Sequence, residues 1–335
     1  MAKAVFITGI TGLVGSHLAI ELLQRGTTVH ALRRKSSDIE PLKKIFAFYQ
    51  VPHLFNQIEW CIGDLDDVWA IADGMKGCES VFHCAAVVSY HPRRKKEMIL
   101  SNVEGTANVV NAAIDEGVQR FVHVSSVAAL GAPHTDGTVD EQSKWINDKN
   151  TSGYAISKHF SEREVWRGFQ EGLKGLILNP SIVMGPGYWN KSSAHIFQKV
   201  NDGLSFYGRG SSGFVDARDV AKALLLLEES ALSQQRYTFV GEHLPFKVLF
   251  EKIAAALGTK APTTEAKPWM GAIAWRLEYL RALITGKEPL ITRETVHAVN
   301  KDTRYSAAKF HDTFSLKMTS IEEAIAHTAN CFKKG

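Results

Sequence analysis

Cysteine is scarce in this chain. Four occur in 335 residues, at Cys61, Cys78, Cys84 and Cys331, with no C-x-x-C pair and no histidines at zinc spacing. A disulfide framework and a structural zinc are both excluded by that pattern, and a reduced, cytoplasmic setting is expected. Long apolar runs are missing as well. Nowhere do 18 apolar residues follow one another, and Lys3 leads straight into Ala4-Val5-Phe6-Ile7 with no signal sequence before it, so neither a membrane span nor export is expected. Charge of one sign is also lacking: 39 Lys and Arg against 35 Asp and Glu leave a net charge of +4. No long single-sign block accompanies it, which argues against a nucleic-acid partner. There is no internal repeat and no low-complexity tract.

What is present is an ordinary globular composition, 45% apolar and 22% charged. The chain exceeds the roughly 150 residues of a typical domain, so two units, or one with an appended lobe, are expected. In the first half, short β-branched runs alternate with helical patterns. Residues 5–8, 28–32, 58–62, 80–84 and 120–124 read as strands, and 13–24, 67–75 and 102–115 as helices. Gly26 and Gly117 stand just past two of these helices, where a left-handed cap is wanted. Strands alternating with helices predict an α/β fold with a parallel, doubly wound sheet of the Rossmann type. After Gly185-Pro186-Gly187 the rhythm breaks. The expected division is a dinucleotide-binding domain over 1–187, with 214–240 returning to it, and a smaller, mostly helical substrate lobe over 188–213 and 241–330. One long helix in that lobe aligns Trp269, Ile273, Leu277, Leu280 and Ile284 by three-and-four spacing. The stripe is expected to pack on its own lobe or on a subunit partner, the other reading being a helix lying on a membrane surface.

Gly9-x-x-Gly12-x-x-Gly15 follows the first strand and opens the first helix, the context a dinucleotide fingerprint requires. The first glycine permits the tight turn, the second lets backbone approach a pyrophosphate, and the third lets helix and strand sit close; phosphate then rests on the helix N-terminus. Thr11 and Leu13 belong to the same cofactor-binding turn. No Gly-Lys-Ser/Thr follows, so it is not a P-loop. The second strand ends in Leu32-Arg33-Arg34-Lys35, where an NAD site would place an acid for the ribose hydroxyls. Cations there suit a 2′-phosphate, which favours NADP(H) over NAD(H). Gly63-Asp64-Leu65 closes the third strand, and Asp64 could accept the adenine amino group.

The strand at 120–124 delivers Ser125-Ser126 at its carboxyl end, the edge where open α/β sheets bind ligands. Tyr154 and Lys158 stand four residues apart at the start of a helix, hence on one face. A lone tyrosine titrates near 10 and is a poor acid or base at neutral pH. A neighbouring ammonium stabilises the phenolate and tunes it for general acid/base work, while a serine hydroxyl can hold the substrate oxygen.

With these residues in view the sequence resembles the extended short-chain dehydrogenases/reductases, over nearly its whole length. The resemblance is carried by "TGITGLVGSHL", "GDL" at 63, "FHCAA" at 82, "SNVEGTANVVNAA" at 101, "FVHVSSVAALG" at 121, "YAISK" at 154, "LNPSIVMGPG" at 178 and "GFVDARDVAKA" at 213. It implies Ser126, rather than Ser125, as the catalytic serine, Tyr154 as acid/base and Lys158 as the lysine that holds the nicotinamide ribose. Asn102 would be structural or part of a proton relay. Leu65, Ala85 and Ala86 would lie along the cofactor, and Pro180 and Val183 beside its nicotinamide ring. A homodimer through helices such as 102–115 and 154–168 is implied too.

Two branches of that family compete. Sugar-nucleotide epimerases and dehydratases usually carry an Arg-Asp pair where this chain has Ser212-Gly213. The remaining pattern is similar to the dihydroflavonol reductase, aldehyde/ketone reductase and 3β-hydroxysteroid dehydrogenase side, which implies an NADPH-dependent reduction of a small carbonyl substrate. The alternatives are an NAD-dependent epimerase or dehydratase, and a non-catalytic cofactor-binding regulator, although such regulators usually lose the tyrosine or lysine kept here. Tyr90, Met184, Tyr188, Trp189 and Phe214 are candidates to line the substrate pocket, each also readable as core. The run Arg93-Arg94-Lys95-Lys96 reads as a solvated helix face or an attractor of an acidic substrate. His83, His91 and His123 lack metal spacing and are expected to pack or face solvent.

Overall fold

A computed structural model describes residues 3–89, 91–148, 151–190, 193–286, 289 and 291–334. In chain order the elements are β1 (Ala4–Thr8), α1 (Leu13–Gln24), β2 (Thr28–Arg33), α2 (Glu40–Phe48), β3 (Ile58–Ile62), α3 (Val68–Met75), β4 (Ser80–His83), α4 (Lys95–Asp115), β5 (Arg120–Val124), β6 (Thr138–Val139), α5 (Gly153–Gln170) and β7 (Gly175–Pro180). Then follow β8 (Ile182–Met184), α6 (His195–Asn201), β9 (Phe206–Tyr207), β10 (Ser211–Asp216), α7 (Ala217–Glu229), β11 (Gln235–Phe239), β12 (Glu242–Pro245), α8 (Phe246–Leu257), β13 (Thr264–Glu265), α9 (Pro268–Thr285), α10 (Arg293–Val299), β14 (Arg304–Tyr305), α11 (Ala308–Thr313) and α12 (Ile321–Lys334).

The expected parallel sheet is there. Seven strands run in the order β11-β7-β5-β4-β1-β2-β3, every neighbour parallel. The strand order reverses between β1 and β4, so their carboxyl ends open the crevice in which such sheets bind ligands. Strand β7 is buried along its whole length, as a parallel strand covered on both faces must be.

Two apolar layers sandwich the sheet. On one face α1 and α7 pack together, with Leu18, Leu22, Val220 and Leu224 against Val5, Ile7 and Leu178. On the other, α4 and α5 cover Phe6, Val81 and Phe121 with Val109, Val110, Val165 and Phe169. Each fully buried side chain of this size contributes about 1.5–3 kcal/mol. A third cluster, around Phe197, Phe214, Phe246, Leu249 and Ile321, builds the second lobe.

Several expectations change. Helix α4 begins at Lys95, seven residues before Asn102: the run Lys95-Lys96-Glu97-Met98 forms helix readily but buries little besides Met98, so it lacks the apolar rhythm that marks a helix in sequence. Its cations Lys95 and Lys96 are exposed, and Lys95 comes within 3.9 Å of the Glu294 carboxylate. Met184 and Phe214 are both fully buried in the third cluster. Segment 308–313, assigned by sequence to the second lobe, packs on the main sheet instead, with Phe310 against Tyr237 and Phe239. The apolar stripe of α9 is not buried on its own lobe: Trp269, Ile273, Leu277, Leu280 and Ile284 are all exposed. Among the described residues no helix is long and apolar enough to cross a membrane.

Candidate active site

The glycine turn joins β1 to α1. Gly9 has φ +75, a conformation that favours glycine, and Gly12 closes the turn by donating its N–H to the Gly9 carbonyl at 2.8 Å. A Cβ on Gly9 would stand 2.5 Å from the Ala85 nitrogen, and one on Gly15 would stand 2.4 Å from the Gly9 oxygen. Backbone from β1, α1 and the end of β4 therefore meets with no room for side chains. Gly12 occupies the N-cap of α1, and among the described residues no side chain caps that end and no acid lies in its first turn. The positive end of the helix is thus left for an anion.

His83 fastens the turn. Its Nδ1 lies 2.7 Å from Thr8 Oγ1 and its Nε2 3.0 Å from Thr106 Oγ1, tying β4 to β1 and α4. Burial pushes its pKa down to about 3, and burial also drives that of the stacked His123 well down, so both rings are neutral packing groups. His91 is likewise buried, its Nε2 3.3 Å from the Ala282 carbonyl.

Strand register brings the basic rim beside this turn. Thr8 pairs with Leu32, so Gly9 and Arg33 leave the sheet at the same level, and Gly63 N–H donates to the Arg33 carbonyl at 3.0 Å. Arg33 lies over the Trp60 ring at 5.1 Å. The exposed Arg34 comes within 3.9 Å of the Asp64 carboxylate, which also accepts the Leu65 N–H at 2.8 Å. Leu65 is buried against α4, its carbonyl accepting from Asn108.

At the end of β5 the two serines separate. Ser125 is 3% exposed and its hydroxyl has no partner among the described residues, whereas Ser126 is half-buried. The Ser126 hydroxyl accepts the Ala128 N–H at 3.1 Å, which leaves its own proton for another acceptor. Helix α5 is started by Ser152, whose hydroxyl accepts the Ala155 N–H. That cap sets Tyr154 half-buried in the first turn and Lys158 buried one turn later. Lys158 reaches back across to β5 and donates to the Val124 carbonyl at 2.9 Å. Burial lowers its pKa to about 8, partly offset by Cys84 and Glu162.

Asn102 is buried beside this group. It exchanges hydrogen bonds with the backbone of Val87, at 2.7 and 2.9 Å, and donates to Ser157 Oγ at 3.1 Å, clamping the loop after β4, which includes Ala85 and Ala86, to α5. Pro180 is buried at the end of β7, and Val183 is half-buried in β8.

The sequence reading missed a buried network behind the serine. Asn179 Nδ2 donates to the Ser126 carbonyl at 3.0 Å and to Glu162 at 2.5 Å, and Glu162 is held by Arg236 at 3.0 Å. The available signal was Glu162 four residues past Lys158, on the same helical face. Among the pocket candidates, Tyr188 donates its hydroxyl to the Asp38 carbonyl at 2.6 Å, and Trp189 packs on Phe197 and Phe332. Tyr90 lies outside the described residues. A cavity of about 320 Å³ lies at the start of α5, lined by Ser89, Met98, Gly153, Trp275, Tyr279 and Ile291 among others. Trp275 and Tyr279 come from α9, which carries no motif. Among the described residues no group of three or more His, Cys, Asp or Glu could hold a metal.

The sheet order and the glycine turn are those of a Rossmann-type dinucleotide-binding fold. Residues 5–239 match the NAD dependent epimerase/dehydratase family, and the chain belongs to that family. It is 30% identical over 342 residues to the "Putative dihydroflavonol 4-reductase" of Synechocystis sp., a match covering 99% of this chain and 95% of that protein. It is 31% identical over 245 residues to cinnamoyl-CoA reductase 1 of Petunia hybrida, covering 70% and 72% of the two chains. Among solved structures, that of gox2253 superposes with a TM-score of 0.79 at 28% identity, covering 99% of this chain and 98% of the other. The chain is an NAD(P)-dependent oxidoreductase.

Proposed function

We propose that the chain reduces a ketone or aldehyde to an alcohol with NADPH, using Ser126, Tyr154 and Lys158. The observation that carries this reading is Lys158, a buried ammonium fixed on the Val124 carbonyl, one residue from Ser125 and two from Ser126, and one helical turn from Tyr154. Burying a lysine is unfavourable for stability, and here the ammonium stands where it can lower the proton affinity of a phenol. The reductase names of the two relatives support the direction of the chemistry.

The residues fit a dinucleotide. Gly9, Thr11, Gly12, Leu13 and Gly15 would cradle the pyrophosphate at the uncapped end of α1, since a Cβ at Gly9 or Gly15 would collide with backbone. Arg33 and Arg34 would face the 2′-phosphate, Asp64 and Leu65 the adenine, Ala85, Ala86 and Lys158 the nicotinamide ribose, and Pro180 and Val183 the ring. When bound, the reduced nicotinamide supplies hydride to the carbonyl carbon. Ser126 donates its hydroxyl proton in a hydrogen bond to the carbonyl oxygen and so fixes its position. Tyr154 delivers a proton to that oxygen as the alcohol forms, and Lys158 stabilises the phenolate left behind.

The test is consumption of NADPH by the purified protein across a panel of aldehydes and ketones. Tyr154→Phe should abolish the consumption while leaving the fold intact, and NADPH should raise the melting temperature more than NADH does. A flat trace across the panel contradicts the reductase reading, and a larger shift with NADH contradicts the cofactor assignment.

A further inference from the structure

Helix α9 wears its aliphatic residues on the outside. Trp269, Ile273, Leu277, Leu280 and Ile284 are between 53% and 85% exposed, and their spacing of four, four, three and four places them on one stripe. The other side of the helix is what docks it. A Cβ on Gly271 would stand 2.6 Å from Val296 of α10, Ala282 is buried with its carbonyl toward His91, and Trp275 and Tyr279 line the cavity beside α5. A contiguous apolar stripe of this kind on a soluble chain marks an interaction surface.

Charge and size say what covers it. The one acid in the α9 sequence, Glu278, is held by Arg281 in a two-pronged pair at 2.8 and 3.0 Å. Lys267 stands exposed at the N-cap, and Arg276 lies exposed beside the stripe, its guanidinium over Trp275 at 4.5 Å. The apolar face is thus bordered by cations. It is also narrow: the five side chains form a single stripe about 23 Å long, from Trp269 to Ile284. A stable protein interface takes roughly 20–30 residues a side, and the stripe offers five exposed apolar ones. A bilayer needs neither that extent nor a matching shape, and anionic headgroups complement the cations.

We infer that α9 docks the protein on the surface of an anionic lipid bilayer, its axis in the membrane plane. The five apolar side chains enter the acyl boundary, while Lys267 and Arg276 meet the phosphates. The indole of Trp269 suits the interface itself. The inference goes beyond the reductase reading and does not depend on it.

The test is co-sedimentation of the full chain with phosphatidylcholine vesicles, with and without phosphatidylglycerol, at low and high salt. Binding should require phosphatidylglycerol, weaken with salt, and fall at least about tenfold in Leu277→Asp/Leu280→Asp. Both positions are exposed and outside the proposed cofactor and catalytic residues, so the melting temperature should hold; if it drops, Lys267→Glu/Arg276→Glu takes its place and should weaken binding to the anionic vesicles alone. Absence of sedimentation with phosphatidylglycerol vesicles overturns the inference, as does binding that the variants leave unchanged. So does self-association in light scattering that Leu277→Asp/Leu280→Asp dissolves without any vesicle binding, which assigns the face to a second copy.

Discussion

Lys158 is unfavourable for stability and central to the proposed chemistry. Its pKa falls from 10.5 to about 8 because the ammonium is buried, a shift equivalent to roughly 3 kcal/mol. Below pH 8 both folded and unfolded chains hold the proton, and the native state carries the full penalty. Between about 8 and 10.5 only the unfolded lysine stays protonated, so raising the pH removes the penalty and the native state gains stability. Compared with Lys158→Met, the wild type should therefore become relatively more stable from pH 7 to pH 10, as read by denaturant midpoints; a flat or falling difference contradicts the placement. Spacing alone shows Tyr154 and Lys158 on one face, but not that the lysine is buried on Val124, since burial depends on β5 lying across from α5. The choice between the serines shows the same limit. Adjacent and identical in type, they are separated only by which one faces the core, and Ser125 does.

At the scale of elements, the turn between β1 and α1 is the most constrained backbone of the proposed site. Gly9 and Gly26 share φ +75, but a Cβ on Gly9 would meet Ala85 backbone at 2.5 Å, whereas one on Gly26 meets nothing within 4 Å. Gly26→Ala should thus cost about 1 kcal/mol, from the left-handed conformation alone. Gly9→Ala should cost about 3 kcal/mol, because the clash adds to the strain. Chemical denaturation of both variants checks this, and equal losses contradict the close approach of β1 and β4. The turn was legible in sequence because its glycines, strand and helix are contiguous. So were the main strands, whose apolar runs are short and sharply bounded. The start of α4 was not, since its first turns are charged and exposed. Nor was the direction of the α9 stripe: periodicity shows that a helix has two faces, not which one is docked. The Asn179–Glu162–Arg236 network escaped for a related reason, its members coming from β7, α5 and β11, which only the sheet brings together.

Over the whole molecule, the sheet sets the cofactor turn, the basic rim and the Ser126–Tyr154–Lys158 group along one edge, at the carboxyl ends of β1, β2, β4 and β5. In the proposed function this edge moves a hydride from a nicotinamide to an external carbonyl, with net reduction. The most direct measurement uses NADPH deuterated at the transferable position of nicotinamide C4, with mass analysis of the alcohol formed. The wild type should place one deuterium on the carbinol carbon, and Tyr154→Phe should yield no labelled alcohol. A product isomerised or dehydrated with no net loss of NADPH, or labelled alcohol formed equally well without Tyr154, would contradict it.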